Sequence, residues 1–383
     1  MNGYMKFESE RITTFQYLLS VTCFIQSSGL LTAFFTPLAK QDSWFVVLLG
    51  VVASLPVLWV YIAIMHSFPN KNLIEISLAS LGRVGGTIVS LLFIWFFLTL
   101  TSLNLSNFNS FIRQTMLVET PVTVVSVLFV MLCAYAVTKG LKTVTRYATL
   151  FVIMAFGLTF FVSALTINIM DYNNFLPMFQ QPPRLYVQSV NIIVAVPFGE
   201  LLAFLMITPY ISRGKKRKGT YLIGGFLLGS STLLFVVLRD TAVLGSVGNL
   251  FSQPPFETLR LINIGGSINR LELLFTIILM ILLFFKIAFL YYISVLAIAQ
   301  LFRLKSYHPL VLITGALIIA HSTLYSYHSA VDRVSLVRQQ LVTVWLVFEF
   351  VLPLVVLIAG RARGLHKASG QQSPNPAPNY RGQ

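Results

Sequence analysis

Charged residues are scarce in this chain. Of its 383 residues only 10% are charged, whereas 56% are hydrophobic, and 32 phenylalanines are spread over the whole length. A soluble protein of this size needs more polar surface to cover its core. The composition therefore excludes a soluble globular protein and predicts an integral membrane protein in contact with a lipid bilayer.

Cysteine and histidine are also few, and their positions argue against catalysis and metal binding. The two cysteines, Cys23 and Cys133, lie inside apolar runs, which excludes a disulfide framework. The five histidines lack the spacing of metal ligands, and the sequence contains neither a phosphate-binding loop nor a nucleophile with a nearby base. We therefore expect no enzyme activity, no cofactor, and no catalytic or metal site.

Long apolar runs dominate what is present. A transmembrane helix needs about 20 apolar residues, and charged or turn-rich breaks divide the chain into ten such segments. They are predicted at 12–35, 44–65, 84–105, 121–137, 144–167, 188–211, 221–238, 271–302, 309–327 and 335–359. The predicted organisation is a short N-terminus (1–11), a transporter-like transmembrane domain (12–360) and a disordered tail (361–383).

Positive charge is distributed unevenly between the two sides of the membrane. Loops on the side of the N-terminus carry 18 Lys and Arg residues and the opposite loops carry 8, with Lys286 left inside a span. Because cytoplasmic loops are enriched in these residues, both termini are predicted to be cytoplasmic. The net charge of +15 is then an orientation signal, and we expect no nucleic acid partner.

Two of the ten spans contain residues that interrupt a membrane helix. The first break comprises Gln26, Ser27, Ser28 and Gly29 in span 1, and the second comprises Val196, Pro197, Phe198, Gly199 and Glu200 in span 6. Ten spans divide into two halves of five, and an odd number per half makes the halves inverted copies. The predicted fold is an all-α polytopic membrane protein with ten transmembrane helices as a five-plus-five inverted repeat, in which helices 1 and 6 are broken.

The two breaks predict a ligand site. Lipid cannot hydrate the backbone groups that a break frees, while helix N-termini attract carboxylates and free carbonyls attract ammonium groups. A zwitterionic amino acid satisfies both demands. All nine residues of the two breaks are therefore predicted ligand-binding residues; the alternative is that the small residues of the first break only allow close helix packing.

Three ionisable residues, Glu200, Lys286 and Glu349, fall near the middle of their spans. An unpaired charge at that depth costs at least about 2.5 kcal/mol, so these groups should pair, change protonation or face a watery cavity. We interpret Lys286 and Glu349 as candidate ion-site or gating charges, with the ammonium in the place that sodium holds in symporters with broken helices. A structural salt bridge from Lys286 to Glu349 or Glu200 explains the pattern equally well.

A further polar face lies at the end of span 3. Asn104, Asn107 and Phe108 share a helix face through their spacing of three and four residues, and Tyr291 follows Lys286 by about one turn. These four residues are candidates for the pathway into the site. The alternatives are a polar helix end in the membrane interface and, for Tyr291, packing within the bundle.

Two motifs in register with the ten spans carry a family resemblance. The first is the run 197–206, Pro-Phe-Gly-Glu-Leu-Leu-Ala-Phe-Leu-Met, which continues into Thr208-Pro209-Tyr210; the second is Phe285-Lys286-Ile287, which leads to the run 296–302. The chain resembles the B subunit of bacterial spore germinant receptors over residues 12–359. The first break, Gln-Ser-Ser-Gly, departs from the glycine-rich loop that is usual in amino-acid transporters.

The resemblance implies a fold of the amino acid, polyamine and organocation transporter superfamily in the inner spore membrane. It also implies two partners, a larger A subunit and a C lipoprotein, and a role in binding a small nutrient germinant, an amino acid or a sugar. Two other functions stay open: a proton-coupled amino acid transporter in which Glu200 or Lys286 titrates, and a structural subunit whose site is vestigial.

Overall fold

The computed structural model describes residues 11–29, 32–116, 119–212, 218–251, 253–261, 271–326 and 342–365. The α-helices in these ranges are α1 (Thr14–Gln26), α2 (Thr32–Ala39), α3 (Ser43–Ala53), α4 (Leu55–Ser67), α5 (Leu73–Thr115), α6 (Val122–Thr138), α7 (Leu141–Thr166), α8 (Pro183–Ile193), α9 (Lys218–Leu244), α10 (Pro254–Arg260), α11 (Glu272–Leu301), α12 (His308–Ser326), α13 (Val342–Leu346) and α14 (Leu352–Ala362). Two π-helical turns, Val194–Phe198 and Val347–Val351, and a 3₁₀ stretch, Gly199–Tyr210, interrupt this pattern.

The helices account for the predicted spans. Eight helical stretches of the described residues have the length and apolar composition to cross a bilayer. Helix α6 is a shorter apolar helix of 17 residues, and span 1 is divided between α1 and α2. Span 2 consists of α3 and α4, span 6 of α8 and the irregular stretch after it, and span 10 of α13, the second π-turn and α14. The described helices thus confirm the all-α polytopic class and fit the ten-span division.

Span 3 extends well beyond its predicted limits. An Asn72–Glu75 capping box starts α5 at Leu73, and the helix kinks at Gly82, whose positive φ of 79° a side chain would disfavour. At its other end the polar run 101–110 continues the helix and is mostly buried against neighbouring helices. The prediction placed the helix end at this polar run because side-chain hydrogen bonds to the preceding turn are not visible in hydropathy; Thr101, Ser102 and Ser110 all make them.

Broken span 6 lies at the centre of the bundle. In its most apolar stretch 83% of the residues are buried, against 28% in α7 and in α12. Helix α1 packs on α9, α7 and α11, while α11 packs on α5, α6 and α7. Large apolar side chains such as Leu128, Phe160 and Leu312 are exposed on the outer helices, as expected for side chains that face lipid.

Part of the predicted organisation falls outside the described residues. This applies to residues 1–10 of the N-terminus, 335–341 of span 10 and 366–383 of the tail. The tail therefore stays a prediction.

Candidate functional site

The break in span 1 is built from short-range side-chain bonds. Helix α1 ends at Gln26, and Ser27 and Ser28 form the turn that follows. Ser27 Oγ lies 2.6 Å from the Cys23 carbonyl and 2.7 Å from the Leu282 carbonyl on α11, and it donates its one hydrogen between them. The first half of span 1 therefore ends in direct contact with α11, which forms span 8.

Gln26 reaches a different neighbour. Its Nε2 donates to Thr232 Oγ1 on α9 at 3.2 Å. Its Oε1 is buried and accepts no hydrogen bond from the described residues. Gly29 contributes a backbone carbonyl that accepts a hydrogen bond from Thr32 Oγ1 at 3.1 Å. The first break thus presents one unpaired amide oxygen, the kind of group that a donor on a ligand can satisfy.

The break in span 6 begins at Val196, whose backbone is extended (φ −133°, ψ 111°) within the π-turn. Pro197 has no N–H to donate, so the helical ladder is interrupted there. Phe198 is buried against Phe226 of α9, with ring centroids 4.8 Å apart. Gly199 starts the buried 3₁₀ stretch, and Glu200 is its second residue. The predicted break is therefore present.

Lys286 joins the two breaks. Its Nζ lies 2.6 Å from Glu200 Oε2 and donates to Ser28 Oγ at 2.8 Å. The ammonium also lies over the Phe24 ring, 4.6 Å from the ring centroid. Lys286 is fully buried, and Ser28 and Glu200 are each 2% exposed. One ammonium group on span 8 thus connects span 1 with span 6, and of the two carboxylates proposed as its salt-bridge partner it takes Glu200.

Glu349 lies beside this ion pair without joining it. It belongs to the π-turn of span 10 and is fully buried, and its carboxylate oxygens accept no hydrogen bond from the described residues. The side chain is close enough to Glu200 and Lys286 for their charges to interact. A Cβ at Gly199 would overlap the Glu349 carboxylate, so glycine is required at this point of span 6 if the carboxylate is to keep its place.

Sequence reasoning missed Tyr61. Its hydroxyl lies 2.7 Å from the Glu349 carbonyl and 2.8 Å from the Gly199 carbonyl and shares its hydrogen between them. One carbonyl belongs to the 3₁₀ stretch of span 6 and the other to the π-turn of span 10, so Tyr61 ties span 2 to spans 6 and 10. The only signal in the sequence was a tyrosine inside an apolar run, since a buried hydroxyl usually has a partner.

The predicted pathway residues make their contacts with residues outside the two breaks. Asn104 is 5% exposed and donates to the Leu100 carbonyl of its own helix. Asn107 is partly exposed. Phe108 is buried and stacks on Phe129 with ring centroids 3.9 Å apart, and the Tyr291 hydroxyl donates to a carbonyl of α12. These contacts are those of bundle packing, and the role in the pathway stays a prediction.

A small cavity of about 30 Å³ lies between α2, which forms the second half of span 1, and α9. Thr32, Lys40, Asp240 and Thr241 are among the residues that line it. A cavity of this size holds about one or two water molecules. Among the described residues, no cluster of three His, Cys, Asp or Glu side chains is placed to hold a metal ion.

The sequence of this chain is similar to those of known proteins. Residues 11–330 match the family model described as "Spore germination protein". Spore germination protein KB of Bacillus subtilis is 29% identical over 308 residues, which covers 78% of this chain and 81% of that protein. Spore germination protein YndE of the same organism is 21% identical over 306 residues, covering 78% and 83%.

The fold also resembles a solved transporter. The structure of Mhp1, a nucleobase-cation-symport-1 family transporter, in a closed conformation with bromovinylhydantoin bound, matches with a TM-score of 0.65. The match covers 88% of this chain and 78% of Mhp1 at 11% sequence identity, so it concerns the fold alone. With a transporter fold, membrane-spanning apolar helices and a family match over most of its length, the chain belongs to the spore germination protein family and is an integral membrane protein.

Proposed function

We propose that this chain is the membrane subunit of a spore germinant receptor, that it binds a small nutrient between broken spans 1 and 6, and that it signals germination. The observation that carries the proposal is the Lys286 ammonium, which bonds to Ser28 in one break and to Glu200 in the other. A ligand that enters between these spans meets one positive group, one negative group and the unpaired Gln26 oxygen.

These groups favour an amino acid as the nutrient. The carboxylate of a zwitterion competes with Glu200 for the Lys286 ammonium, and its ammonium takes the Glu200 carboxylate in return. The two new charge-assisted bonds replace the one ion pair that is lost, which limits the desolvation penalty of burial. A sugar, which has no charge, can use Gln26 and Ser28 but leaves the ion pair in place.

The same contacts supply a signal. When Lys286 turns to the ligand, Ser28 and Glu200 lose their common partner, and spans 1 and 6 are free to move relative to span 8. A ligand shifts a conformational equilibrium only through different affinity for its two states. Exchange of the ion pair provides that difference.

Substitution of Ser28 tests the proposal. Ser28→Ala removes the oxygen that receives the Lys286 hydrogen bond, and hydrogen bonds to charged groups contribute about 1.5–3 kcal/mol. Because the ligand-bound state lacks this bond, the substitution favours that state. We expect a gain of at least about tenfold in nutrient sensitivity, measured as germination of spores against a panel of single amino acids and sugars. Ser20→Ala is the matched control, since Ser20 Oγ is also buried in α1 and, among the described residues, donates to the Gln16 carbonyl alone.

An equal response of both variants to every nutrient would contradict the site. Failure of the intact receptor to bind any nutrient would instead favour a structural subunit with a vestigial site.

The family membership supports assembly with a larger A subunit and a C lipoprotein in the inner spore membrane, with both termini cytoplasmic. Co-purification from spore membranes with an affinity tag on this chain tests the assembly. Protease access to a tag at either terminus, in membrane vesicles of known orientation, tests the topology.

A second function, proton-coupled transport of an amino acid, is favoured by the transporter fold. Uptake of radiolabelled amino acid into proteoliposomes that contain the purified chain would decide for it. The receptor function predicts ligand binding without accumulation under the same pH gradient.

A further inference from the structure

Glu349 occupies an environment that does not suit a charge. The side chain is fully buried, and neither carboxylate oxygen accepts a hydrogen bond from the described residues. A buried carboxylate without donors or a counter-charge is far less favourable than the neutral acid. The nearby Tyr61 donates its hydroxyl hydrogen to the backbone carbonyl of Glu349 and not to the carboxylate.

The charged groups around Glu349 do not neutralise a negative charge on its carboxylate. Span 6 contributes Glu200, a second negative group, and α11 contributes Lys286, whose ammonium is already held at 2.6 Å by Glu200. On the α5 side, Phe96 stacks on Phe348 with ring centroids 5.3 Å apart, and α4 contributes Tyr61. Among the described residues, two carboxylates therefore share one ammonium, which leaves one negative charge in excess.

We propose that Glu349 is a proton-binding site, protonated in the arrangement described above, and that its protonation decides which carboxylate holds Lys286. With the proton in place, the neutral acid packs against Gly199, and Lys286 pairs with Glu200. When the O–H bond breaks, the electron pair stays on the Glu349 carboxylate and the proton passes to water. Glu349 then competes with Glu200 for the ammonium and draws Lys286 away from Ser28.

This inference deepens the proposed function, because the same ammonium joins the two breaks that are proposed to bind the nutrient. A proton and a nutrient carboxylate thus act on one group, Lys286. Release of the proton would favour the arrangement in which spans 1 and 6 are uncoupled.

Infrared spectroscopy of the purified full-length protein in lipid tests the proton directly, without any nutrient. A protonated carboxylic acid has a carbonyl stretching band that is separate from the carboxylate bands and shifts in D₂O. We expect this band at neutral pH in the wild type and its loss in Glu349→Gln. Glu257→Gln is the matched control, because Glu257 pairs with Arg260 on the partly exposed helix α10 and should leave the band unchanged.

Two further variants separate the alternatives. Lys286→Met removes the counter-charge of Glu200, and we expect a second protonated carboxyl and a larger band. Loss of the band in Glu200→Gln is expected too, since Lys286 then turns to Glu349 and ionises it. Size-exclusion profiles that match the wild type establish that each variant is folded.

Persistence of the wild-type band in Glu349→Gln would overturn the proposal, and so would its absence from the wild type. A band that appears only when sodium is replaced by choline would assign the neutralising charge to a metal cation. Because no nutrient is used, failure of this test leaves the nutrient site standing, and failure of the Ser28 test leaves the proton site standing.

Discussion

At the residue scale, the site depends on a few residues whose positions are fixed by contacts with their neighbours. Lys286 is the clearest case, since it lies in the middle of an apolar helix and holds groups from two other spans. Gly199 is the second. Its missing side chain makes room for the Glu349 carboxylate, and its carbonyl accepts a hydrogen bond from Tyr61.

Gly199→Ala should therefore impair the receptor. The added methyl group overlaps a carboxylate that is itself fully buried, and overpacking of this kind costs about 1–3 kcal/mol. We expect a lower thermal unfolding temperature in detergent and a nutrient response reduced by about tenfold or more. Gly157→Ala is the control, because a Cβ there meets nothing within 4 Å and alanine favours a helix. Similar losses in both variants would show that Gly199 has no special role.

At the element scale, α1 is held closely by α9. Gly225 brings the two helices together, and its carbonyl lies 3.3 Å from Thr22 Oγ1. Small residues at such contacts allow membrane helices to approach closely. Since α1 carries the first break, its contact with α9 sets the position of Ser27 and Ser28 relative to Lys286.

The contact between α1 and α9 gives a test with two adjacent glycines. A Cβ at Gly225 would lie 2.5 Å from the Leu18 carbonyl oxygen, which is backbone and cannot rotate away. A Cβ at Gly224 meets only the flexible end of Leu18, at 3.0 Å. We expect Gly225→Ala to destabilise the protein by about 1–3 kcal/mol and Gly224→Ala to cost less. Thermal unfolding in detergent measures both, and the opposite order would contradict this packing.

At the scale of the whole molecule, the start of span 1 is joined to the end of span 6. Ile12, before α1, pairs with Ile211, the last residue of span 6, in a parallel β-bridge. Ile12 N–H donates to the Tyr210 carbonyl at 3.0 Å, and Ser212 N–H donates to the Ile12 carbonyl at 2.9 Å. Lys218 of α9 adds a hydrogen bond to the Thr208 carbonyl at 2.6 Å. The two broken spans are thus closed together on this face.

Ser212→Pro should open this face, because proline removes the N–H that completes the bridge. The two cysteines report the change: Cys23 lies in α1, Cys133 lies in α6, and both are fully buried. We expect several-fold faster labelling of Cys23 by a membrane-permeant thiol reagent in Ser212→Pro, with Cys133 unchanged. Ser212→Ala keeps the N–H and serves as the control. Unaltered Cys23 labelling would mean that the bridge does not hold the face closed.

Much of this protein follows from the sequence by itself. The membrane class, the positions of the spans and the breaks at Gln26–Gly29 and Val196–Glu200 depend on local properties: apolar runs of sufficient length, a proline without its N–H and a glycine without a side chain. These properties depend on residues that are neighbours in the chain, so they can be recognised directly from the sequence.

Only the tertiary structure decided how the charges pair. Lys286 takes Glu200 and Ser28, which is 258 residues away in the chain, and leaves Glu349 without a hydrogen bond from the described residues. Tyr61 likewise reaches partners 138 and 288 residues away. A charge or hydroxyl inside an apolar run signals that a partner exists, but the partner is set by how three or four helices cross. Coulomb and hydrogen-bond energies depend on distances in space, which hydropathy and motif spacing do not contain.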